Sequence, residues 1–89
     1  MKHQDFMKEL LRDADFKAEY DALEPEYQLM VAALEARKRQ NLTQSQLARL
    51  VGTSQANISK LENGELNPSI SFLKRFAKAC DMKLSLKFL

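Results

Sequence analysis

Apolar residues recur at spacings of three and four along most of the chain, and this periodicity predicts helices. Met30, Val31 and Leu34 give one helix its apolar side from about residue 25 to residue 40. Pro25 suits the first turn of that helix, because its fixed φ angle and missing N–H cost little there. Asn41 suits the left-handed position that often follows the end of a helix.

The next helix begins at the clearest local signal in the sequence. Thr43 is followed three residues later by Gln46, which is the spacing of a capping box. Leu42 and Leu47 flank this cap at the positions of a hydrophobic staple. Gly52 ends the helix, since a residue without Cβ can adopt the positive φ angle of a tight turn.

Two more helices follow, and each begins at a serine. Ser54 caps a helix that buries Ile58 and Leu61 and ends at Asn63. After Pro68, Ser69 caps the last helix. The residues of this last helix that we expect to face inward are Ile70, Leu73, Phe76, Ala77 and Cys80.

The two ends of the chain carry different patterns. Helical spacing over residues 6–14 and 16–23 predicts two short helices or one continuous helix. Residues 83–89 alternate instead, with Leu84, Leu86 and Phe88 on one side, and a period of two predicts a β-strand. We therefore expect an all-α protein of five or six helices with one short C-terminal β-strand. Its segments are residues 1–24, 25–82 and 83–89.

Charge is distributed unevenly along the 89 residues, although the net charge is only +2. Residues 1–24, the acidic head, hold four Lys/Arg against seven Asp/Glu, whereas residues 69–89 hold five against one. This asymmetry favours a basic body that meets phosphate and an acidic head that meets a basic partner, although solvated surface charge would also produce it.

Several classes of function are disfavoured by the composition. Cys80 is the sole cysteine and His3 the sole histidine, so no disulfide within the chain and no Cys/His metal cluster is expected. The sequence shows neither a nucleophile paired with a base nor a glycine-rich phosphate loop. It therefore gives no indication of an enzyme or of a cofactor. No apolar run is long enough to span a bilayer and no leader is evident, so we expect a cytoplasmic protein.

Two short capped helices joined at Gly52 are what a helix-turn-helix requires. Ala48 must be small where the second helix crosses the first, and Ile58 and Leu61 hold the second helix inward. The outer side of the second helix carries Ala56, several short polar residues and one lysine. The polar residues and the lysine can reach both base edges and phosphates. The outer residues are Thr53, Ser54, Gln55, Ala56, Asn57, Ser59, Lys60 and Asn63.

The segments LTQSQLA at 42–48, VGTSQ at 51–55 and ISKLENG at 58–64 resemble the phage-repressor (Cro/C1, or XRE) helix-turn-helix family. The resemblance covers about residues 26–82 and implies a lambda-repressor-like five-helix domain with residues 54–63 in the major groove. It further implies phosphate contacts at Gln44 and Asn63 and an ion pair of Arg37 with Glu62. The base-contacting positions that it implies are Gln55, Ala56, Ser59 and Lys60.

A second resemblance covers the acidic head. LLRD at 10–13 and FKAEYD at 16–21, followed by Leu23, look like the corresponding part of HigA-type antitoxins. This resemblance implies a RelE/HigB-like ribonuclease toxin as partner, and repression of the protein's own operon. The apolar residues of the head that we expect to contact this toxin are Phe6, Leu10, Phe16 and Tyr20.

The C-terminal strand also predicts a homodimer. An unpaired strand exposes backbone hydrogen-bonding groups, so two copies are expected to pair antiparallel, with Leu84, Leu86 and Phe88 covering the helices below. Such a dimer would present its two recognition helices about 34 Å apart, one turn of DNA.

The sequence is also compatible with other functions. A phage-like or restriction-modification regulator would bind DNA without any toxin, and a protein-binding adaptor of the same fold would show no preference for a DNA sequence. The acidic head could instead cover the core of its own domain, and residues 42–64 could be a plain helical hairpin.

Overall fold

The structure is a computed structural model that describes Ala18 and residues 21–89. Four helices are present in this part of the chain. In order they are α1 (Pro25–Arg39), α2 (Gln44–Val51), α3 (Gln55–Glu62) and α4 (Ile70–Ala79). Helix α3 packs against both α1 and α2, while α4 packs against α2. The second of two short consecutive helices is therefore held from two sides.

The expectation of five or six helices and a C-terminal strand is wrong. The described residues form four helices, and residues 83–89 form neither helix nor strand. A strand needs ladder hydrogen bonds to a second extended segment, and the described part of this single chain offers none. The helices expected over residues 6–14 and 16–23 lie almost wholly outside the described residues, and Glu24 is extended because it precedes Pro25.

The predicted helix caps are confirmed. The Thr43 hydroxyl accepts a hydrogen bond from the backbone N–H of Gln46 at 3.0 Å, and the Gln46 side chain accepts one from the N–H of Thr43 at 2.9 Å. Ser54 and Ser69 cap α3 and α4 through the N–H groups of Asn57 and Phe72. Each cap satisfies a donor that the first turn of a helix leaves unpaired.

A left-handed residue connects α2 to α3, as expected. Gly52 has φ +84°, and its N–H donates to the carbonyl of Ala48 at 2.9 Å. The N–H of Thr53 donates to the same carbonyl at 2.9 Å, which closes the turn within a few residues. Asn41, two residues after the end of α1, also adopts the left-handed conformation, with φ +57°.

The core is small and is formed by all four helices. Its most enclosed side chains are Leu47, Ile58, Leu61 and Cys80, and Ala48 allows α3 to cross α2 closely. Ile70 was expected to face inward but is 49% exposed, because it occupies the first position of α4 at the edge of the core. None of the helices in the described part is long and apolar enough to cross a membrane.

Candidate nucleic-acid interface

Helix α3 has one buried face and one face open to solvent. Ile58 and Leu61 are 0% and 1% exposed and attach the helix to the core. Of the residues predicted to contact DNA, the exposed ones are Ser54, Gln55, Ala56, Lys60 and Asn63. The remaining ones, Gln44, Thr53, Asn57 and Ser59, are half-buried.

Two of the half-buried residues fix the start of α3. The side-chain amide of Asn57 donates to the Thr53 hydroxyl at 2.9 Å, while its backbone N–H donates to the Ser54 hydroxyl at 3.1 Å. Thr53, Ser54 and Asn57 therefore hold one another across the first turn. Further along α3, the Asn63 amide donates to the Ser59 hydroxyl at 3.5 Å, the limit of a hydrogen bond.

A chain of amide hydrogen bonds connects α2 to both ends of α3. The Nε2 of Gln55 donates to the Oε1 of Gln44 at 2.6 Å, and the Nε2 of Gln44 donates to the Oε1 of Glu62 at 3.1 Å. A side-chain amide has two N–H groups, so each glutamine keeps one donor free of this chain. The Gln55 amide is thus held in a defined position on the exposed face.

The same Glu62 carboxylate forms a buried ion pair with Arg37 of α1. The Arg37 Nε and Nη2 donate to the two carboxylate oxygens at 2.6 and 2.9 Å, and the two side chains are 8% and 6% exposed. Arg37 Nη1 also donates to the carbonyl of Leu42 at 2.8 Å, in the loop that leads into α2. One guanidinium thereby joins α1, the α1–α2 loop and the end of α3.

Glu35 is a buried acidic residue whose burial was not predicted from the sequence. It is 4% exposed, and one of its oxygens accepts from Arg39 at 3.0 Å across one helical turn. The other oxygen is buried and has no hydrogen-bond partner among the described residues. Spacing alone predicts the pair with Arg39, but nothing in the sequence predicts the burial.

Arg75 of α4 lies beside the end of α2. Its guanidinium is 5.7 Å from the centre of the Phe72 ring, and its Nη1 donates to the Val51 carbonyl at 3.4 Å. A cation at the C-terminal end of a helix is favourable, because the last carbonyls carry partial negative charge. The position of Arg75 in the sequence did not predict this contact. The hydrogen bond to Val51 stabilises the turn that follows at Gly52.

The Cys80 thiol is wholly buried next to this network. Burial raises the pKa of Cys80, the charge of Arg37 opposes that rise, and the charge of Glu62 adds to it. The Gln40 amide donates to the Cys80 carbonyl at 3.1 Å, which joins the ends of α1 and α4. No group of three His, Cys, Asp or Glu side chains suited to a metal occurs in the described part.

The other predicted contact residues are placed only in part. Phe6, Leu10, Phe16 and Tyr20, predicted to contact a toxin, lie outside the described residues. Of the residues predicted to form a dimer, Leu84 is half-buried, whereas Leu86 and Phe88 are exposed.

A known family and two curated proteins resemble this chain. A family model described as helix-turn-helix matches residues 34–87, more than half of the chain. A competence pilus inhibition repressor of Acinetobacter baylyi is 49% identical over 53 residues, covering 60% of this chain and 48% of the repressor.

A second kind of relative extends the match along more of the chain. Antitoxin HigA1 of Mycobacterium tuberculosis is 32% identical over 74 residues, covering 83% of this chain and 50% of the antitoxin. The chain thus spans about half the length of these curated relatives. No solved structure gives a significant match.

Proposed function

Because the chain belongs to the helix-turn-helix family of DNA-binding regulators, we propose that it is a sequence-specific transcriptional repressor that inserts α3 into the major groove of operator DNA. The eight residues of α3 make a helix about 12 Å long. The major groove of B-form DNA is about 12 Å wide, and it admits a helix because a helix with its side chains is about 10–12 Å in diameter.

The observation that carries this proposal is the amide chain from Glu62 through Gln44 to Gln55. Adenine offers one acceptor and one donor in the major groove, and a glutamine amide matches both. Gln55 retains one N–H and its carbonyl oxygen for that contact while its other N–H stays bonded to Gln44. Its amide therefore needs no rearrangement before it contacts a base, which lowers the entropic cost of recognition.

Phosphate contacts would come from the edges of the same surface. Gln44 is the first residue of α2, so its side chain lies at a helix N-terminus, where the helix dipole favours anions. Lys60 and Asn63 extend the surface towards the other end of α3 and are both exposed. In this proposal Gln44 and Asn63 position the protein on the DNA, whereas Gln55, Ala56, Ser59 and Lys60 provide sequence preference.

Binding to a selected duplex tests this proposal directly. A random duplex library passed over the full chain should yield a consensus, and binding to that duplex is then compared with binding to a scrambled duplex of equal length at one salt concentration. We expect Gln55→Ala to weaken binding to the selected duplex by about 1–3 kcal/mol and to leave binding to the scrambled duplex nearly unchanged.

Two further variants make the comparison specific. Gln44→Ala should weaken binding to both duplexes because it removes a phosphate contact, and it should weaken binding to the selected duplex further because it releases the Gln55 amide. Gln28→Ala is the matched control, because Gln28 is not among the predicted DNA-contacting residues and its Nε2 donates to the Asp21 carbonyl. Equal losses on both duplexes for Gln55→Ala would refute its assignment as a base-contacting residue.

We further propose that the protein is the antitoxin of a toxin–antitoxin pair and represses its own operon as a homodimer. The similarity to antitoxin HigA1 over 83% of the chain supports this proposal. The acidic head, with four Lys/Arg against seven Asp/Glu, suits a basic RelE/HigB-like toxin. In this proposal Phe6, Leu10, Phe16 and Tyr20 contact the toxin, while Leu84, Leu86 and Phe88 hold the dimer together.

A further inference from the structure

A groove lies between the start of α1 and the loop that joins α3 to α4. Its volume is about 490 Å³, equal to that of about sixteen water molecules in the liquid, which is ample for a large apolar side chain. Leu61 lines it from the core, and Leu29, Leu66 and Leu73 line it from partly buried positions. These four leucines make much of its lining apolar.

Close packing of α1 against the loop holds the groove in shape. Gly64 has φ +75°, and a Cβ atom there would lie only 2.6 Å from the Sδ of Met30, so the loop backbone approaches α1 as closely as it can. The N–H of Gly64 donates to the Leu61 carbonyl at 3.3 Å, and that of Glu65 donates to the Lys60 carbonyl at 2.8 Å. The groove is therefore formed before any partner binds, which lowers the cost of binding.

The charge on the groove lining is negative. Glu26 of α1 and Glu65 of the loop line the groove, and no Lys or Arg does so. Both carboxylates are exposed, and neither forms an ion pair or a hydrogen bond with another described side chain. Residues 21–36 and 61–73, which supply all of the lining, contain no Lys or Arg. The negative charge is thus not neutralised locally, and it favours a cationic occupant.

This charge discriminates between possible occupants of the groove. It repels the phosphates of DNA. It also disfavours the acidic head of the chain itself, which holds seven Asp/Glu against four Lys/Arg. A basic protein segment with an apolar side chain suits both the charge and the leucines, since protein interfaces combine an apolar centre with a polar rim.

The groove is next to the acidic head. Pro25 lines the groove and directly follows Glu24, the last residue of the head. Leu23 and Tyr27, on either side of this junction, are 37% and 54% exposed. A partner that the head holds is therefore beside the groove, with exposed apolar side chains between the two.

We propose that the groove binds a basic segment of the toxin partner, with one large apolar side chain against the leucines and Lys or Arg side chains beside Glu26 and Glu65. This inference rests on the proposed antitoxin function and adds a second toxin-binding surface to that of the head. The second surface belongs to the helix-turn-helix part of the chain. It assigns a role to Glu26, Glu65 and Asn67, which the sequence did not indicate.

Isothermal titration calorimetry of the full chain with a purified HigB-like toxin tests this inference. The toxin used is one against which the full chain protects cells in co-expression. Asn67 is exposed and lines the groove, so Asn67→Trp should block the groove and raise the dissociation constant about 10-fold or more. Ser71→Trp is the matched control, since Ser71 is exposed and does not line the groove.

Removal of charge provides an independent test. Glu65→Gln and Asp81→Asn each remove one negative charge, but only Glu65 lines the groove. We expect Glu65→Gln to weaken toxin binding about 2- to 5-fold and to reduce the dependence of the affinity on salt. General destabilisation does not reduce that dependence. Asp81→Asn should leave both quantities nearly unchanged, and asparagine tolerates the left-handed φ of +56° at this position.

The outcomes separate this inference from the function on which it rests. Equal affinity of Asn67→Trp and Ser71→Trp for the toxin would overturn the inference and leave the antitoxin function intact. Altered self-association of Asn67→Trp in sedimentation without toxin would show that a second copy occupies the groove. Loss of binding to the selected duplex by Asn67→Trp would show that DNA contacts the groove, and either result overturns the inference. If the unaltered chain neither binds nor protects against a HigB-like toxin, the antitoxin function itself is refuted, and the inference with it.

Discussion

Replacing Glu62 with alanine tests whether the ion pair with Arg37 attaches helix α3 to the rest of the domain. The substitution removes both hydrogen bonds from Arg37, at 2.6 and 2.9 Å, and the bond from Gln44 at 3.1 Å. Arg37 is left with one partner, the Leu42 carbonyl, while its side chain is only 8% exposed. Most of the expected loss is the cost of that stranded charge.

Removing one partner of a buried ion pair costs about 3–5 kcal/mol. A domain of this size has about 5–15 kcal/mol of stability in total, so Glu62→Ala should remove a large share of it. The melting temperature should fall by more than about 10 °C. Urea unfolding followed by circular dichroism measures the free energy, and thermal melting under the same conditions gives a second value.

Two variants define what the result means. Glu65→Ala removes an exposed acid three residues along that forms no ion pair with any described residue, and it should change the free energy of unfolding by less than about 0.5 kcal/mol. Arg37→Met combined with Glu62→Leu removes both charges and should recover part of the loss. Recovery stays incomplete because the Leu42 carbonyl loses its donor. A loss below about 1 kcal/mol for Glu62→Ala would refute the argument.

Two further predictions concern the acidic head and the buried thiol. Under the proposed antitoxin function, deletion of residues 1–24 should abolish protection from a co-expressed HigB-like toxin while leaving binding to the selected duplex intact. Unchanged protection in this co-expression assay would make the head structural. Because burial raises the pKa of Cys80, the folded state holds the thiol proton more tightly than the unfolded chain. The free energy of unfolding should therefore show no loss from this thiol at neutral pH, and it should fall as the pH rises past 9.0, the ordinary pKa of a thiol. Urea unfolding should show a smaller fall for Cys80→Ala.

Features that depend on a few neighbouring residues could be predicted from the sequence. Thr43 and Gln46 cap α2 through two bonds that span three residues, and Gly52 adopts the left-handed conformation required by its turn. Helix α1 begins at Pro25 for an equally local reason. These features depend on neighbouring residues and not on contacts with distant parts of the fold.

Features that depend on distant partners could not be predicted in the same way. The alternation of residues 83–89 matches a strand, but a strand also needs a neighbour, and the described part of one chain contains no second extended segment. Ile70 has the spacing of a core residue, yet its place at the first position of α4 leaves it half exposed. The burial of Glu35 likewise depends on packing that no local pattern reveals.

Under the proposed function, one face of α3 holds the residues that determine DNA specificity and the other face holds the residues that maintain the fold. Ile58, Leu61 and Glu62 carry the packing and the ion pair, whereas Gln55, Ala56 and Lys60 are exposed and contribute nothing to the core. Ala56 and Lys60 form no hydrogen bond to another described side chain, so substitution there has little effect on stability. A duplicated gene could therefore acquire a new operator through changes at a few exposed positions, without passing through an unfolded intermediate sequence.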